Sequence, residues 1–148
     1  LEYAQMLHMG YSYKTDLAQE KNYYLKMNGR RLYQYALENV PKTIKACLDK
    51  LDTGIDEIKK VLIHQANGKM DDAILARLFK LYDVKEVPEA IMPMTISWLG
   101  NSSVATVTTL LDRIVRGNMN AHELNSGDKI IMASVGAGMN INAFVYRY

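Results

Sequence analysis

Apolar residues recur at helical spacing in three segments of the chain. The first pattern predicts a helix over residues 29–51, and it consists of Leu32, Ala36, Val40, Ile44, Leu48 and Leu51. Because proline lacks a backbone N–H, Pro41 predicts a kink or a restart of this helix after Asn39. The other two patterns predict amphipathic helices, one through Met70, Ile74, Leu78 and Phe79 and one through Val104, Val107, Leu111 and Ile114.

Shorter apolar runs lie between and after these helices. They predict four strands, over residues 60–63, 90–96, 129–135 and 141–148. The alternation of helices and strands indicates a layered α/β domain. The last two strands are joined too closely for a parallel crossover, so we expect a mixed sheet that ends in an antiparallel hairpin.

Residues 1–20 show no convincing period of either kind. We therefore predict an irregular lead-in from a truncated domain over residues 1–23 and one folded domain over residues 24–148. The chain begins without an initiator methionine, and we expect it to be a piece of a longer protein.

Composition and charge narrow the classes of function. The 148 residues carry 18 basic and 16 acidic side chains, interspersed, for a net charge of +2. No basic run is long enough to follow a phosphate backbone, so we expect no nucleic-acid partner. No apolar stretch approaches the roughly 20 residues that span a bilayer, so we expect a soluble, cytoplasmic protein without membrane contact. The single cysteine, Cys47, excludes an internal disulfide, and we expect no metal site.

Polar side chains follow the first predicted strand. His64 lies just beyond its carboxyl end, where open α/β sheets place catalytic groups, although a histidine satisfied by the backbone is the more common finding. Gln65 and Asn67 add two amides, which need partners if buried because an unpaired group costs roughly 1–3 kcal/mol. Asn101 precedes a helical pattern in Gly-Asn-Ser-Ser and is, on its own, best explained as an N-cap, a role compatible with catalysis.

Two further features have structural and functional interpretations. Gly136-Ala137-Gly138 is a tight connection between the last strands, and its backbone N–H groups would also suit an oxyanion. Cys47 lies inside a predicted helix, without the helix N-terminus or cationic neighbour that activates a thiolate, so we reject it as a nucleophile.

Four landmarks occur in order along the chain, namely Tyr24-Leu25-Lys26-Met27-Asn28-Gly29, His64-Gln65-Ala66-Asn67, Gly100-Asn101-Ser102-Ser103, and Gly127-Asp128 followed by Gly136-Ala137-Gly138. Together they make residues 24–148 resemble the carboxy-terminal half of the β-ketoacyl-[acyl-carrier-protein] synthase III family. The resemblance implies a thiolase-like fold, in which two similar α/β halves enclose the active site. The chain departs from the family pattern at Lys69, where arginine is usual, at Ala137, where glycine is usual, and at residues 140–142, where Thr-Trp-Gly is common.

The resemblance also implies an activity, the decarboxylative condensation of acyl-coenzyme A with malonyl carrier protein in fatty acid biosynthesis, with no cofactor beyond these substrates. His64 and Asn101 would donate hydrogen bonds to the malonyl thioester oxygen. The backbone at Gly136, Ala137 and Gly138 would stabilise a second oxyanion, with Gln65 and Asn67 supporting the histidine loop. Lys69 would contact the carrier or coenzyme A.

In that family the nucleophilic cysteine comes from the amino-terminal half, so this chain alone should be inactive. The implied partners are that half, acyl carrier protein, coenzyme A thioesters and, for the intact protein, a second copy. Two alternatives remain open. One is a non-catalytic homologue that binds coenzyme A or a carrier protein, and the other is a related condensing enzyme of secondary metabolism.

Overall fold

A computed structural model describes residues 3–14 and 22–148 of the chain. Short 3-10 turns precede or follow several of its helices and strands. The strands are β1 (Leu7–Gly10), β2 (Tyr24–Met27), β3 (Ile58–Ile63), β4 (Lys129–Gly136) and β5 (Asn140–Arg147). The helices are α1 (Gly29–Lys50), α2 (Gly68–Lys80), α3 (Ile96–Leu99) and α4 (Thr106–Val115).

The main sheet has three strands in the order β3-β4-β5. Strands β3 and β4 are parallel, with Ile63 opposite Ala133, and β4 and β5 are antiparallel. The predicted layered α/β fold, with a mixed sheet that closes in an antiparallel hairpin, is confirmed. Because β3 and β4 run in the same direction, the loops that follow them leave the sheet at the same edge.

Helices cover both faces of this sheet, and the alternation along β3 shows how. Val61 and Ile63 pack into a core with α1 and α2, whereas Leu62 packs on the opposite face with Leu110 and Ile114 of α4. Successive residues of a strand point to opposite faces, so a strand covered on both sides is apolar without interruption. The fold therefore has three layers, with α1 and α2 on one side and α4 on the other.

Strands β1 and β2 form a separate antiparallel pair, with His8 opposite Lys26. Strand β1 lies within residues 1–23, where the sequence predicted an irregular segment, so that interpretation is wrong for residues 7–10. The pair joins residues on both sides of the boundary proposed between 23 and 24, and this domain division stays a prediction. Residues 1–2 and 15–21 of the lead-in lie outside the described residues.

The predicted restart at Pro41 is also wrong, because α1 is a single helix of 22 residues that includes Pro41. An internal proline costs a helix about 3 kcal/mol. Here its side chain is fully buried between the apolar residues that fix α1 in the core, of which Leu37, Val40 and Ile44 lie nearest in sequence. Tertiary packing of this face outweighs the local penalty.

No strand forms over residues 90–96 of the described structure, contrary to the prediction. The segment contributes one backbone hydrogen bond to β3, from the Val61 N–H to the Ile91 carbonyl at 2.9 Å. Ala90 has a φ of 56°, and Pro93 has no N–H to donate, so the segment cannot continue as a regular ladder.

The apolar face predicted for the last helix is partly wrong. Val104 precedes α4 and is 95% exposed, whereas Leu110, which the pattern omitted, is fully buried.

Within the described residues, no helix is both long and apolar enough to cross a membrane.

Candidate active site

His64 is the first residue after β3, and its backbone N–H donates to the Ala133 carbonyl of β4 at 3.0 Å. Its imidazole is half-buried, and Nδ1 lies 3.1 Å from the Ser103 carbonyl oxygen. A carbonyl only accepts hydrogen bonds, so Nδ1 carries the proton. In the neutral ring, Nε2 is therefore the unprotonated nitrogen, which can accept a hydrogen bond or a proton.

Burial lowers the pKa of His64, and the hydrogen bond to Ser103 opposes this effect. Burial disfavours the charged imidazolium because the ring loses water contacts. The Thr106 hydroxyl donates to the same Ser103 carbonyl at 2.9 Å and lies 3.4 Å from Nδ1. The site thus holds a neutral histidine near pH 7, with its ring oriented by Ser103 and Thr106.

Asn101 binds the same residue, Ser103, through its backbone N–H rather than its carbonyl. Its Oδ1 accepts a hydrogen bond from the Ser103 N–H at 2.9 Å, while the residue itself stays exposed. With Oδ1 engaged, the two N–H donors of the amide remain available to a ligand. His64 and Asn101, 37 positions apart in sequence, are thereby joined through Ser103.

The N-cap assignment for Asn101 needs correction. Helix α4 begins at Thr106, and its cap residue, Ala105, makes no side-chain hydrogen bond. Asn101 instead closes a tight turn onto Ser103, at the start of the 3-10 turn Ser103–Ala105. Ser103 has a φ of 52°, a left-handed conformation that is costly for a residue other than glycine. The sequence analysis did not predict that Ser103 links His64 and Asn101, because it treated Ser103 only as part of Gly-Asn-Ser-Ser.

Gly136 is the last residue of β4, and Ala137 and Gly138 follow it at the sheet edge from which His64 also leaves. Gly138 has a φ of 74°, which explains the glycine. Asn140 Nδ2 donates to the Ala137 carbonyl at 3.1 Å. The hydrogen bonds among the described residues connect His64 with Asn101, but none of them extends to Ala137.

Gln65 is completely buried and fully paired. Its Nε2 donates to the Pro93 carbonyl at 2.7 Å, and its Oε1 accepts from the N–H groups of Thr95 at 2.9 Å and Ile96 at 3.1 Å. The amide therefore ties the irregular segment before α3 to the end of β3. Gln65 directly follows His64, so these hydrogen bonds join the His64 loop to residues 93–96.

Asn67 and Lys69 lie at the start of α2. Asn67 is the N-cap, and its Oδ1 accepts from the N–H of Lys69 at 3.0 Å. The Lys69 side chain is exposed. A cation in the first turn is not favoured by the helix dipole, so its position is more compatible with a ligand contact than with helix stabilisation.

Asp71 is a completely buried acid in the first turn of α2. Both of its carboxyl oxygens are buried without a hydrogen-bond partner in the described structure. Burial raises the pKa of Asp71 to about 7 and the charge of Asp72 adds to the rise, whereas the backbone N–H groups of Ala66 and Asn67 lower it. These two N–H groups are near enough to attract the carboxylate, but neither makes a well-aligned hydrogen bond.

The remaining candidates add little. Cys47 lies within α1 and is only partly buried, far in sequence from a helix N-terminus. His8 lies on β1. His122 is half-buried, and burial lowers its pKa. Across residues 3–14 and 22–148, no group of three or more His, Cys, Asp and Glu is arranged to hold a metal ion.

The layered sheet and its loops are those of a thiolase-like domain. Residues 48–148 match the family described as 3-oxoacyl-[acyl-carrier-protein] synthase III C terminal, and the chain belongs to this family. It is 32% identical over 124 residues to β-ketoacyl-[acyl-carrier-protein] synthase III of Pyropia yezoensis. The matched region covers 84% of this chain and 35% of that protein. The chain thus spans about a third of the length of the curated relatives it matches.

Solved structures agree on the fold. The synthase III of Thermus thermophilus matches 99% of this chain and 43% of its own chain, with a TM-score of 0.79 at 24% identity. The priming β-ketosynthase of the R1128 polyketide pathway matches 99% of this chain and 41% of its own, with the same TM-score of 0.79 at 25% identity.

Proposed function

We propose that this chain is the carboxy-terminal catalytic part of a 3-oxoacyl-[acyl-carrier-protein] synthase III. The intact protein would condense an acyl group from acyl-coenzyme A with a malonyl group on acyl carrier protein, in cytoplasmic fatty acid biosynthesis. The observation that carries the proposal is the pairing of His64 and Asn101 on the one residue Ser103, at the carboxyl edge of β3. This pairing holds an imidazole ring and a side-chain amide on one residue.

The proposed reaction has two covalent stages. A cysteine of the amino-terminal part attacks the acyl thioester, and coenzyme A leaves as the thiol, so that the acyl group is held as an enzyme thioester. The malonyl thioester then loses carbon dioxide. The electron pair of the broken C–C bond forms an enolate, which attacks the acyl carbonyl and displaces the cysteine as thiolate.

Asn101 and His64 would act on the enolate stage. Asn101 offers N–H donors to the malonyl thioester oxygen while its own oxygen is held by Ser103. A donor of this kind contributes roughly 2.7–4 kcal/mol to a developing oxyanion. Because the Nδ1 proton of His64 is directed to Ser103, His64 donates from Nε2 only as the imidazolium, and as a neutral ring it accepts there.

Other parts of the chain have supporting roles in the proposal. The backbone N–H at Ala137 would stabilise the second oxyanion, formed when the enolate attacks the acyl-cysteine. Lys69, exposed at the start of α2, would attract the phosphate of the carrier arm or of coenzyme A. The intact protein would be a homodimer in which this chain packs against its own amino-terminal half.

The test uses the full-length protein with His64→Ala and Asn101→Ala. Asn101→Ala should lose about 10²–10³ in malonyl decarboxylation and in condensation, because a hydrogen-bond donor to the developing oxyanion is removed. His64→Ala should lose about 10²–10⁴ in the same steps, because the variant lacks the Nε2 that accepts a hydrogen bond or a proton. Acylation of the nucleophilic cysteine should persist in both variants, and mass spectrometry of the acyl-enzyme measures it. An equal loss of acylation would contradict this division of roles. The 148-residue chain alone should show no condensation with acyl-coenzyme A and malonyl carrier protein.

A related condensing enzyme of secondary metabolism is the second candidate. It is favoured by the replacement of the family's usual arginine with Lys69. The fold matches the R1128 priming ketosynthase as well as it matches the Thermus thermophilus synthase III, with a TM-score of 0.79 for both. Lysine keeps the charge but loses the planar fork that grips a phosphate. Comparison of acyl-coenzyme A primers of different length and branching in the full-length protein distinguishes the two.

A further inference from the structure

The hairpin of β1 and β2 places two basic side chains directly opposite each other. His8 and Lys26 are register partners, so both project from the same face. Lys26 is 9% exposed, and within residues 3–14 and 22–148 its ammonium has no carboxylate partner. Its Nζ lies 3.7 Å from the Tyr13 ring centroid and 5.8 Å from that of Tyr24. Aromatic faces stabilise the charge, but they do not replace hydrogen-bond acceptors for its three N–H groups.

A surface cleft of about 380 Å³ opens beside this pair, lined by Gln5, His8, Tyr13, Lys26, Met27, Asn28 and Gly29. None of these residues is acidic. Gly10 lies next to two of these residues, and a Cβ there would make ordinary contacts at 3.5 Å with His8 Nε2 and Lys26 Cγ. The volume is in the range of small-molecule sites and exceeds the needs of a bare ion.

The start of α1 forms another wall of the cleft. This helix has 22 residues, and its N-cap, Asn28, uses its side chain to accept from the Arg31 N–H at 3.3 Å. The first N–H groups of a helix have no partners within it, and the helix dipole favours negative charge at that end. A lysine side chain that is mostly buried and a helix N-terminus therefore both border one open space.

We infer that this cleft binds the anionic end of a small organic ligand, a phosphate or a carboxylate, with Lys26 as its counter-charge and the first turn of α1 as its hydrogen-bond donor. The Tyr13 ring would contact the remainder of the ligand. The site uses none of the residues of the proposed condensation, so either proposal can fail without the other.

The test titrates the ¹⁵N-labelled 148-residue chain with inorganic phosphate and, in a second series, with acetate, at constant ionic strength. Saturable shifts of the Lys26, Asn28 and Gly29 amide signals are expected in at least one series, and the stronger anion identifies the ligand's charged group. Lys26→Met should weaken this binding about tenfold, the loss expected for one charge-assisted hydrogen bond. Lys26→Arg should largely preserve it.

Lys59→Met is the matched control, because Lys59 is an exposed lysine on a strand. It should leave the binding unchanged. If Lys26→Met disturbs the hairpin by circular dichroism, Gly10→Ala provides the second variant, since its methyl group fits at ordinary contact distance and narrows the cleft. Absence of saturable shifts at these amides in both series, or equal weakening by Lys59→Met, would overturn the inference, as would binding that depends on Lys69 instead of Lys26.

Discussion

His64 and Asn101 bind opposite sides of the same residue: the Ser103 carbonyl lies 3.1 Å from His64 Nδ1, and the Ser103 N–H donates to Asn101 Oδ1 at 2.9 Å. A shift of Ser103 would therefore move both side chains together. This geometry also determines which atoms remain for a substrate, the amide N–H groups of Asn101 and the Nε2 of His64.

The tautomer of His64 is a direct prediction of this arrangement. In the 148-residue chain at pH 7.5, ¹⁵N NMR of the imidazole should show a protonated Nδ1 and an unprotonated Nε2, because Ser103 can only accept from Nδ1. The ring should also titrate below the ordinary histidine value of about 6.5, since burial lowers its pKa. A neutral ring protonated at Nε2 would contradict the assignment. His64 could then donate a hydrogen bond from Nε2 without becoming an imidazolium.

The buried amide of Gln65 should contribute strongly to stability. Gln65→Leu removes the partner of the Thr95 and Ile96 N–H groups and of the Pro93 carbonyl, and the buried groups left unpaired cost about 1–3 kcal/mol each. We expect a loss of at least about 2 kcal/mol in the free energy of unfolding, measured by urea denaturation. Gln34→Leu, an exposed glutamine of α1, should change it by less than about 0.5 kcal/mol. A similar small change for Gln65→Leu would show that the amide does not fix the loop.

Sequence reasoning identified what depends on local pattern. The short apolar runs at residues 60–63 and 129–135 predicted β3 and β4, and His64 was singled out by its position at a strand end. Tertiary contacts decided the rest. Pro41 remains helical because its neighbours are buried, and Ser103 links two loops through backbone atoms, which no residue pattern encodes. Strand β1 has only four residues and gains its partner from β2.

Val104 and Leu110, which the helical pattern of α4 assigned to the wrong faces, should differ strongly in their contribution to stability. Leu110→Ala should lower the free energy of unfolding by about 2–5 kcal/mol, because Leu110 is fully buried against β3 and β4 and its loss leaves a cavity. Val104→Ala should change it by less than about 0.5 kcal/mol, since Val104 is 95% exposed. Urea denaturation of both variants measures the difference. A larger effect at Val104 would indicate that this residue is covered by another part of the chain or by a second copy.

Asp71 should make the stability of the chain depend on pH. Its pKa rises from an ordinary value of 3.8 to about 7 in the folded state, so between these values the folded chain binds more protons than the unfolded chain. The free energy of unfolding attributable to Asp71 therefore falls as pH rises from about 4 to 7, by up to about 4 kcal/mol, and changes little above pH 8. The buried carboxylate without partners is the physical cause, because ionisation in this position loses its hydration.

Asp71→Asn isolates this contribution from that of His64 and His122, whose lowered pKa values act in the opposite direction by reducing stability as pH falls below about 6.5. The variant should lose less stability than the parent chain between pH 5 and pH 8, measured by urea denaturation at both values. Asp72→Asn is the control, because Asp72 is the exposed neighbour on the same helix and contributes only its charge. It should relieve the pH dependence slightly, by lowering the pKa of Asp71. An Asp71→Asn chain with the same pH dependence as the parent would mean that the carboxylate finds water or a partner when it ionises.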